Sequence, residues 1–341
     1  MYVYLIAFGI SALLAHGLKK IKRLHIYVKA FISCIPVLLI AGLRYDVGTD
    51  FFSYRTFFFD VNYLNNTEVL FKWIRDLISR YTHGNFDVFI FVTSFLFIFT
   101  IYISIWEQSE SVELSIFFFM TNTLFYIGMN TIRQGIAISI VLFSLKFLRE
   151  NKKFSFMAGV LFACLWHSSV IICLCFLFAK QIRIDFWKGI LLLTVFFTFG
   201  NSIAGIVARC FEGSKYYHFF YDNYGVDIPV TYMAMTFLVF LLASYIKSIK
   251  SVNGIFDLYY NILFLAMAVG TFTGWLPMGK RIMWNFMFVM IYLCPMSIHY
   301  LTGIMNKRIL TLLYCLFFFA AMYSNIVLNH DHGCIPYNWI L

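Results

Sequence analysis

The sequence predicts an all-α protein, a polytopic integral membrane helical bundle of about ten to eleven transmembrane segments. Three observations carry the prediction. Hydrophobic residues make up 62% of the 341 and charged ones only 12%, with a mean hydropathy of +0.81. Apolar runs long enough to cross a bilayer recur from one end of the chain to the other, a pattern foreign to a water-soluble domain. Those runs are continuous rather than alternating apolar and polar, which argues against a β-barrel. No internal repeat and no Ser/Pro/Gly linker interrupts them, so residues 1–341 read as a single membrane domain.

In chain order the expected spans are Tyr2–Leu18, Ile26–Leu43, Phe86–Trp106, Leu114–Met129, Ile132–Leu148, Phe154–Ala179, Phe186–Ala208, Pro229–Ile246, Ile255–Met278, Ile282–Gly303 and Ile309–Asn329. The first reads as a span rather than a cleavable leader. Its charges, Lys19 and Lys20, follow the apolar run instead of preceding it, and no small-residue cleavage site closes it. Between the second and third spans an external loop, 44–85, contains Glu68–Tyr81, where apolar residues at helical spacing are separated by basic ones. That is an amphipathic helix able to lie on a membrane surface. A second external loop, 209–228, is rich in Tyr and His.

Charge sets the orientation. Lys19, Lys20, Lys22 and Arg23 place the first loop inside and the N-terminus outside. If Phe154–Ala179 crosses once, Lys and Arg divide 13 inside and 13 outside, which is no bias. If it enters and returns, the division becomes 16 inside and 10 outside, acidic residues divide 6 and 10, and the whole net charge of +10 lies on the cytoplasmic side. The second count favours a re-entrant pair of half-helices joined at His167. The acidic loop Glu107–Glu113 fits the inside poorly in either case.

The densest polar stretch is Gly42-Leu43-Arg44-Tyr45-Asp46-Val47-Gly48-Thr49-Asp50-Phe51-Phe52-Ser53-Tyr54, at the end of the second span. Ionisable groups at the rim of a span are costly, and so point to function. Four such clusters lie at outer span ends: Arg44/Asp46/Asp50/Tyr54, Arg133/Gln134, His167 and Lys280/Arg281. No nucleotide pool exists outside the cytoplasm, so a substrate delivered on a lipid fits. A lipid pyrophosphate suits the planar, permanently charged guanidinium, which makes Arg133, Arg281 and Arg44 candidate ligands for it. Transfer to a hydroxyl needs a proton acceptor, and His167, Asp46, Asp50 and Glu68 qualify by type. Gly48, Tyr54 and Gln134 are candidates to position substrate. The competing readings are snorkelling for the arginines, an Arg44–Asp46 ion pair, and a hydrogen-bonded core role for His167.

Other signals point away from metals, cofactors and nucleic acid. The excess positive charge clusters in short loops between spans, as membrane topology demands, rather than in a nucleic-acid patch. His330-Asp331-His332 reads as a solvated tail, and Cys173-x-Cys175 as packing without zinc spacing. No GxxxxGK loop and no GxGxxG opens a helix. Six of the 8 cysteines sit inside apolar runs as buried thiols; Cys210 and Cys334 fall in polar segments, where pairing is open.

Arg44-x-Asp46-x-Gly48-Thr49-Asp50-x-x-x-Tyr54 after the second span resembles a motif of the EpsG/Wzy-type family of bacterial polysaccharide polymerases. So do Ile132-Arg133-Gln134-Gly135-Ile136-Ala137, opening a later span, and Leu165-Trp166-His167-Ser168-Ser169 in the next segment. Glu68 followed by Phe71, Arg281 near the start of a late span, and the ending Ile335-Pro336-Tyr337 match further family positions in order. The resemblance implies a polymerase of O-antigen, capsule or exopolysaccharide repeat units, multi-pass in the bacterial inner membrane with its active site facing the periplasm. By that analogy it is a glycosyltransferase. A growing glycan on undecaprenyl pyrophosphate moves en bloc to the non-reducing end of a new lipid-linked unit, and undecaprenyl pyrophosphate leaves. Arginines stabilise the leaving group in place of a metal. The implied partners are undecaprenyl-pyrophosphate-linked oligosaccharides, membrane lipid and a chain-length regulator, with no nucleic acid. The family's loops diverge, so 209–228 inherits no role.

Two other classes remain open. A lipid-linked oligosaccharide flippase needs polar groups across the full membrane depth, whereas the cytoplasmic half of these spans is poor in ionisable residues. A membrane sugar acyltransferase would use His167 as its base.

Overall fold

The computed structural model describes residues 1–60, 67–210, 229–276, 279–301 and 306–340, and every element of any length among them is a helix. All eleven expected runs are helical over most of their described residues. Helices α1 (Tyr2–Lys19) and α2 (Ile26–Gly42) form the first two. The loop 44–85 contains α3 (Phe51–Phe59), which the sequence did not announce, and the anticipated α4 (Val69–Tyr81). Helix α5 (Phe86–Gln108) follows, started by Asn85, whose Oδ1 accepts from the Asp87 and Val88 amides at 3.0 and 3.2 Å.

Three runs are bent pairs rather than straight rods. They are α6 (Val112–Thr121) with α7 (Leu124–Asn130) at 55°, α10 (Phe186–Thr198) with α11 (Gly200–Cys210) at 65°, and α14 (Lys280–Met287) with α15 (Met290–Leu301) at 46°. The remaining rods are α8 (Ile132–Arg149), α12 (Val230–Ile249), α13 (Gly254–Thr273) and α16 (Lys307–Met322). Five helices are long and apolar enough to cross a membrane unaided, and eight if each bent pair is one span. Helix α2, at 17 residues, and α8, charged near both ends, fall outside that count.

Helix α13 is the axis of the bundle: 78% of its apolar window is buried, against 33% for α1. Tyr260 of α13 stacks on Phe240 of α12 with ring centres 5.2 Å apart, and Tyr259 on Tyr292 of α15 at 5.4 Å. Lipid is as apolar as these side chains, so close fit rather than segregation from water holds such layers together.

Contacts between helix ends sort the molecule into two poles. At one, Lys19 of α1 pairs with Glu113 of α6 (2.9 Å), Lys146 of α8 with Glu107 of α5 (2.9 Å), and Lys247 of α12 with Asp257 of α13 (2.6 Å). The carboxylates of Glu107 and Glu113 are thus neutralised by the basic residues around them, which accounts for acids in a basic loop. At the other pole the start of α1, the end of α2 and the C-terminal tail meet. The Tyr4 hydroxyl donates to the Cys334 carbonyl at 2.7 Å. The amides of Tyr45, Gly48 and Thr49 donate to the carbonyls of Asn338, Gly333 and His332 at 3.0, 2.9 and 3.0 Å. The tail is therefore docked, not solvated. Cys334 is buried and Cys210 exposed, and both are free thiols, so the two do not pair.

The run 154–179 enters and returns. Helix α9 (Lys153–Cys164) rises from the basic pole, the chain turns at 165–167, and a 3-10 segment (Ser168–Gln181) descends beside it. At the foot of this hairpin Lys180 Nζ donates to Asn151 Oδ1 at 2.8 Å, which holds its two ends together. Asn261 Nδ2 of α13 donates to the carbonyls of Ala179 and Ile182 at 2.8 and 2.9 Å. The 3-10 winding lets a short segment reach far: 14 residues at roughly 2.0 Å each extend about 28 Å, matching about 27 Å for the 18-residue α8. Val170, Cys173, Phe176 and Ala179, three residues apart, form its buried face. Helix α9 lies close on α8 because Gly159 faces Ser144, where a β-carbon would overlap the hydroxyl. The turn is so carried up to the N-terminus of α8, which puts His167 beside Arg133.

Candidate functional site

A small cavity of about 60 Å³ opens at the tail-bearing pole, and Asp50, Tyr54, Arg133, Gln134, His167 and Arg281 all line it. Four separate parts of the chain supply them: α3 and the loop before it, the first turn of α8, the hairpin turn, and the first turn of α14. Two larger grooves beside α10, of about 550 and 570 Å³, have mostly apolar walls and contain none of these groups. The small cavity is therefore the candidate site.

Glu68 organises one wall from behind. It stands immediately before α4, whose Leu70 amide donates to the Leu165 carbonyl at 3.1 Å, so the helix start is tied to the hairpin turn. Its Oε2 pairs with Arg133 Nη1 at 2.6 Å. Its Oε1 accepts from the Ser168 amide at 3.2 Å and lies 3.2 Å from His167 Nδ1, within ion-pair range but off the line of a hydrogen bond. Burial works to raise the Glu68 carboxyl, but the His167 ring and the Arg133 guanidinium outweigh it and bring it down to about 2. A carboxyl that acidic takes no proton at neutral pH, so Glu68 is a poor general base and instead orients its two partners. Arg133 is further fixed by Tyr54 and by the face of Phe71, 5.5 Å from its guanidinium carbon.

Asp50 faces the cavity from the opposite wall. Burial raises its carboxyl above the usual range, against the pull of Arg281 and Arg133. That raised value is what a proton acceptor requires. The loop carrying it is held by Asn130, at the end of α7, whose Oδ1 accepts from the Asp50 amide at 2.8 Å and the Thr49 hydroxyl at 3.0 Å. Gly48 precedes it with φ of +106°, and a β-carbon there would come 3.3 Å from Asn130 Oδ1. Gly48 thus shapes the loop rather than lining the cavity.

Beneath the cavity Gln134 Nε2 donates to the Arg281 carbonyl at 2.7 Å and to Asn285 Oδ1 at 3.1 Å, fastening α8 to α14. Asn285 Nδ2 donates in turn to Ser169 Oγ at 3.3 Å, which joins the hairpin to the same layer. The Arg281 guanidinium has no hydrogen-bond or ion-pair partner among the described residues and is available to a ligand.

Arg44 and Asp46 stand elsewhere. Arg44 is buried at 1% exposure, donating to the Ala41 carbonyl, to Ser94 Oγ at 3.0 Å and to the Met129 carbonyl at 2.9 Å. It clamps the end of α2 to α5 and α7 and does not reach the cavity. Asp46 is exposed at φ of +51°, outside the cavity, and forms no ion pair with Arg44. Loop residues 211–228 lie outside the described residues. One contributor was not singled out from the sequence, Asn130, which carries no charge to attract notice; another, His332, is packed against Asn130 and Trp284 rather than in the solvated tail the sequence suggests. No group of three His, Cys, Asp or Glu side chains capable of holding a metal occurs among the described residues.

The chain is thus a helical membrane-type bundle with a cleft at one pole lined by two arginines, a histidine and a carboxylate. The EpsG family model matches residues 27–339, nearly the whole chain, and the chain belongs to that family of Wzy-like polysaccharide polymerases. No curated protein and no solved structure shows a significant match to it.

Proposed function

We propose that the chain is a glycosyltransferase that joins undecaprenyl-pyrophosphate-linked repeat units at the outer face of the bacterial inner membrane. The observation that carries this reading is the convergence of Arg133, Arg281, Asp50 and His167 on one cavity. Its pole is the one opposite the paired lysines, and the charge division of 16 to 10 supports a cytoplasmic basic pole.

In the reaction an acceptor hydroxyl attacks the anomeric carbon of the carrier-bound glycan. The new C–O bond forms as the bond to pyrophosphate breaks, and the carrier leaves as an anion. Arg281, whose guanidinium has no hydrogen-bond partner among the described residues, and Arg133, aimed by Glu68, stabilise the charge that develops on it. Stabilisation by two guanidinium groups makes the mechanism metal-independent in this reading. The hydroxyl proton passes to Asp50, raised by burial, or to His167, whose Nδ1 is turned to Glu68 and whose Nε2 is left for substrate.

The test is substitution in a strain lacking this chain, with surface glycan resolved by gel. Arg133→Ala, Arg281→Ala, His167→Ala and Asp50→Asn are expected to abolish the long-chain ladder while single repeat units persist. A ladder that survives all four refutes the assignment. Loss of single units as well would identify a flippase, and an unchanged ladder with altered acetyl content an acyltransferase.

A further inference from the structure

We propose that His332, in the docked C-terminal tail, is a positioning residue that sets Asp50 through the side chain of Asn130. Donor and acceptor identities fix the arrangement. The Asp50 amide can only donate, so the Asn130 atom 2.8 Å from it is the oxygen, and the amide nitrogen points the other way. That nitrogen lies 3.3 Å from His332 Nδ1. An NH₂ group only donates, so Nδ1 accepts and the ring proton sits on Nε2, 3.5 Å from the Tyr232 hydroxyl. The ring rests against Trp284 with centres 5.6 Å apart. One amide side chain thus bridges the tail to the loop that carries Asp50.

The neutral tautomer is enforced by its surroundings. Burial, with the charges of Lys280 and Arg281 alongside, pushes His332 down to about 4, so the ring carries no proton on Nδ1 at physiological pH. A protonated ring would turn a donor toward the Asn130 NH₂ and release it. The tail backbone makes a separate attachment, since the carbonyls of His332 and Gly333 receive the amides of Thr49 and Gly48. Main chain and side chain can therefore be tested apart.

The exchange of individual backbone amides in the full-length protein, held in detergent micelles, reads the geometry directly. In His332→Ala the Asp50 amide is expected to exchange about tenfold faster, the scale of one hydrogen bond, while Gly48 and Thr49 keep their protection. His332→Asn retains an acceptor where Nδ1 stood and suits φ of +68°, so it restores protection. His332→Gln, whose acceptor falls at the Nε2 position, does not. Polymer output per inserted protein should follow the same order, and Asn130→Ala combined with His332→Ala should be no worse than Asn130→Ala alone.

Unchanged exchange at Asp50 in His332→Ala, or equal behaviour of the Asn and Gln variants, overturns the proposal. The weight of this positioning for catalysis rests on the role given to Asp50 above. Faster exchange with undiminished polymer would keep the positioning and remove Asp50 from the chemistry.

Discussion

Replacing Glu68 by Gln removes a charge while keeping the shape and the acceptor for the Ser168 amide. In the folded protein the carboxyl lies at about 2 rather than its ordinary 4.5, despite burial, because the His167 ring and Arg133 hold it ionised. That gap corresponds to about 3 kcal/mol in favour of the ionised form. The side chains of Glu68 and Arg133 are 15% and 23% exposed, so solvent screening removes little of it. The folded value lies below the unfolded one; the stabilisation is therefore present above pH 4.5 and lost as pH falls through about 2. At neutral pH the Gln variant forfeits all of it and leaves the Arg133 guanidinium without its counter-ion. Apart from that loss of stability, misplacing Arg133 and His167 when their shared carboxylate is gone predicts polymer output reduced on the order of a hundredfold. The measurement is long-chain glycan per unit of membrane-inserted, epitope-tagged protein, with thermal unfolding in detergent recorded alongside. Glu68→Gln and Arg133→Ala should combine without further loss, since they break the same pair. Wild-type polymer and an unchanged unfolding temperature in the Gln variant would refute the claim that this carboxylate organises the site.

Two further outcomes follow from the fold. Arg44→Met removes three buried hydrogen bonds and leaves the Met129 carbonyl without its donor, while Ser94 Oγ still donates to the Ala41 carbonyl; it should destabilise the protein by about 2 kcal/mol, lowering the amount inserted but not the output of each surviving molecule. Normal abundance with no polymer would instead return Arg44 to substrate binding. Asn151→Cys and Lys180→Cys should both be labelled by impermeant thiol reagents from the same face of the membrane, because their side chains touch at the foot of the hairpin. Labelling from opposite faces would show that 154–179 crosses once.

The apolar runs were legible because a bilayer imposes length and continuity, and each of the eleven is helical over most of its described residues. The bends were not. Hydropathy is the same for a straight rod and for one broken between Thr121 and Leu124, where Thr123 adopts φ of +71°. The hairpin was favoured by the charge division, which places Lys180, Arg183 and Lys188 with the other basic residues if the segment returns, and by two short apolar stretches meeting at His167. The convergence of Asp50, Tyr54, Arg133, Gln134, His167 and Arg281 followed from their common position at span ends. Arg44 misled for the same reason: Tyr45 and Asp46 beside it are exposed, but its own side chain, just past the end of α2, turns into the bundle against α5 and α7. Asn130 escaped notice because a neutral amide acts here through hydrogen bonds, which leave no charge pattern to read, and His332 reads as a solvated tail because its docking is made by the same kind of bond.

The three-residue period of the hairpin's descending arm restricts how this stretch can change over generations. With three residues to a turn, one inserted residue rotates everything after it by about 120°. Such an insertion near Ser168 would swing Val170, Cys173, Phe176 and Ala179 out together and bring a different row against the bundle. Only gains or losses of whole turns preserve the frame, so natural length variation should fall in the loops and spare this arm.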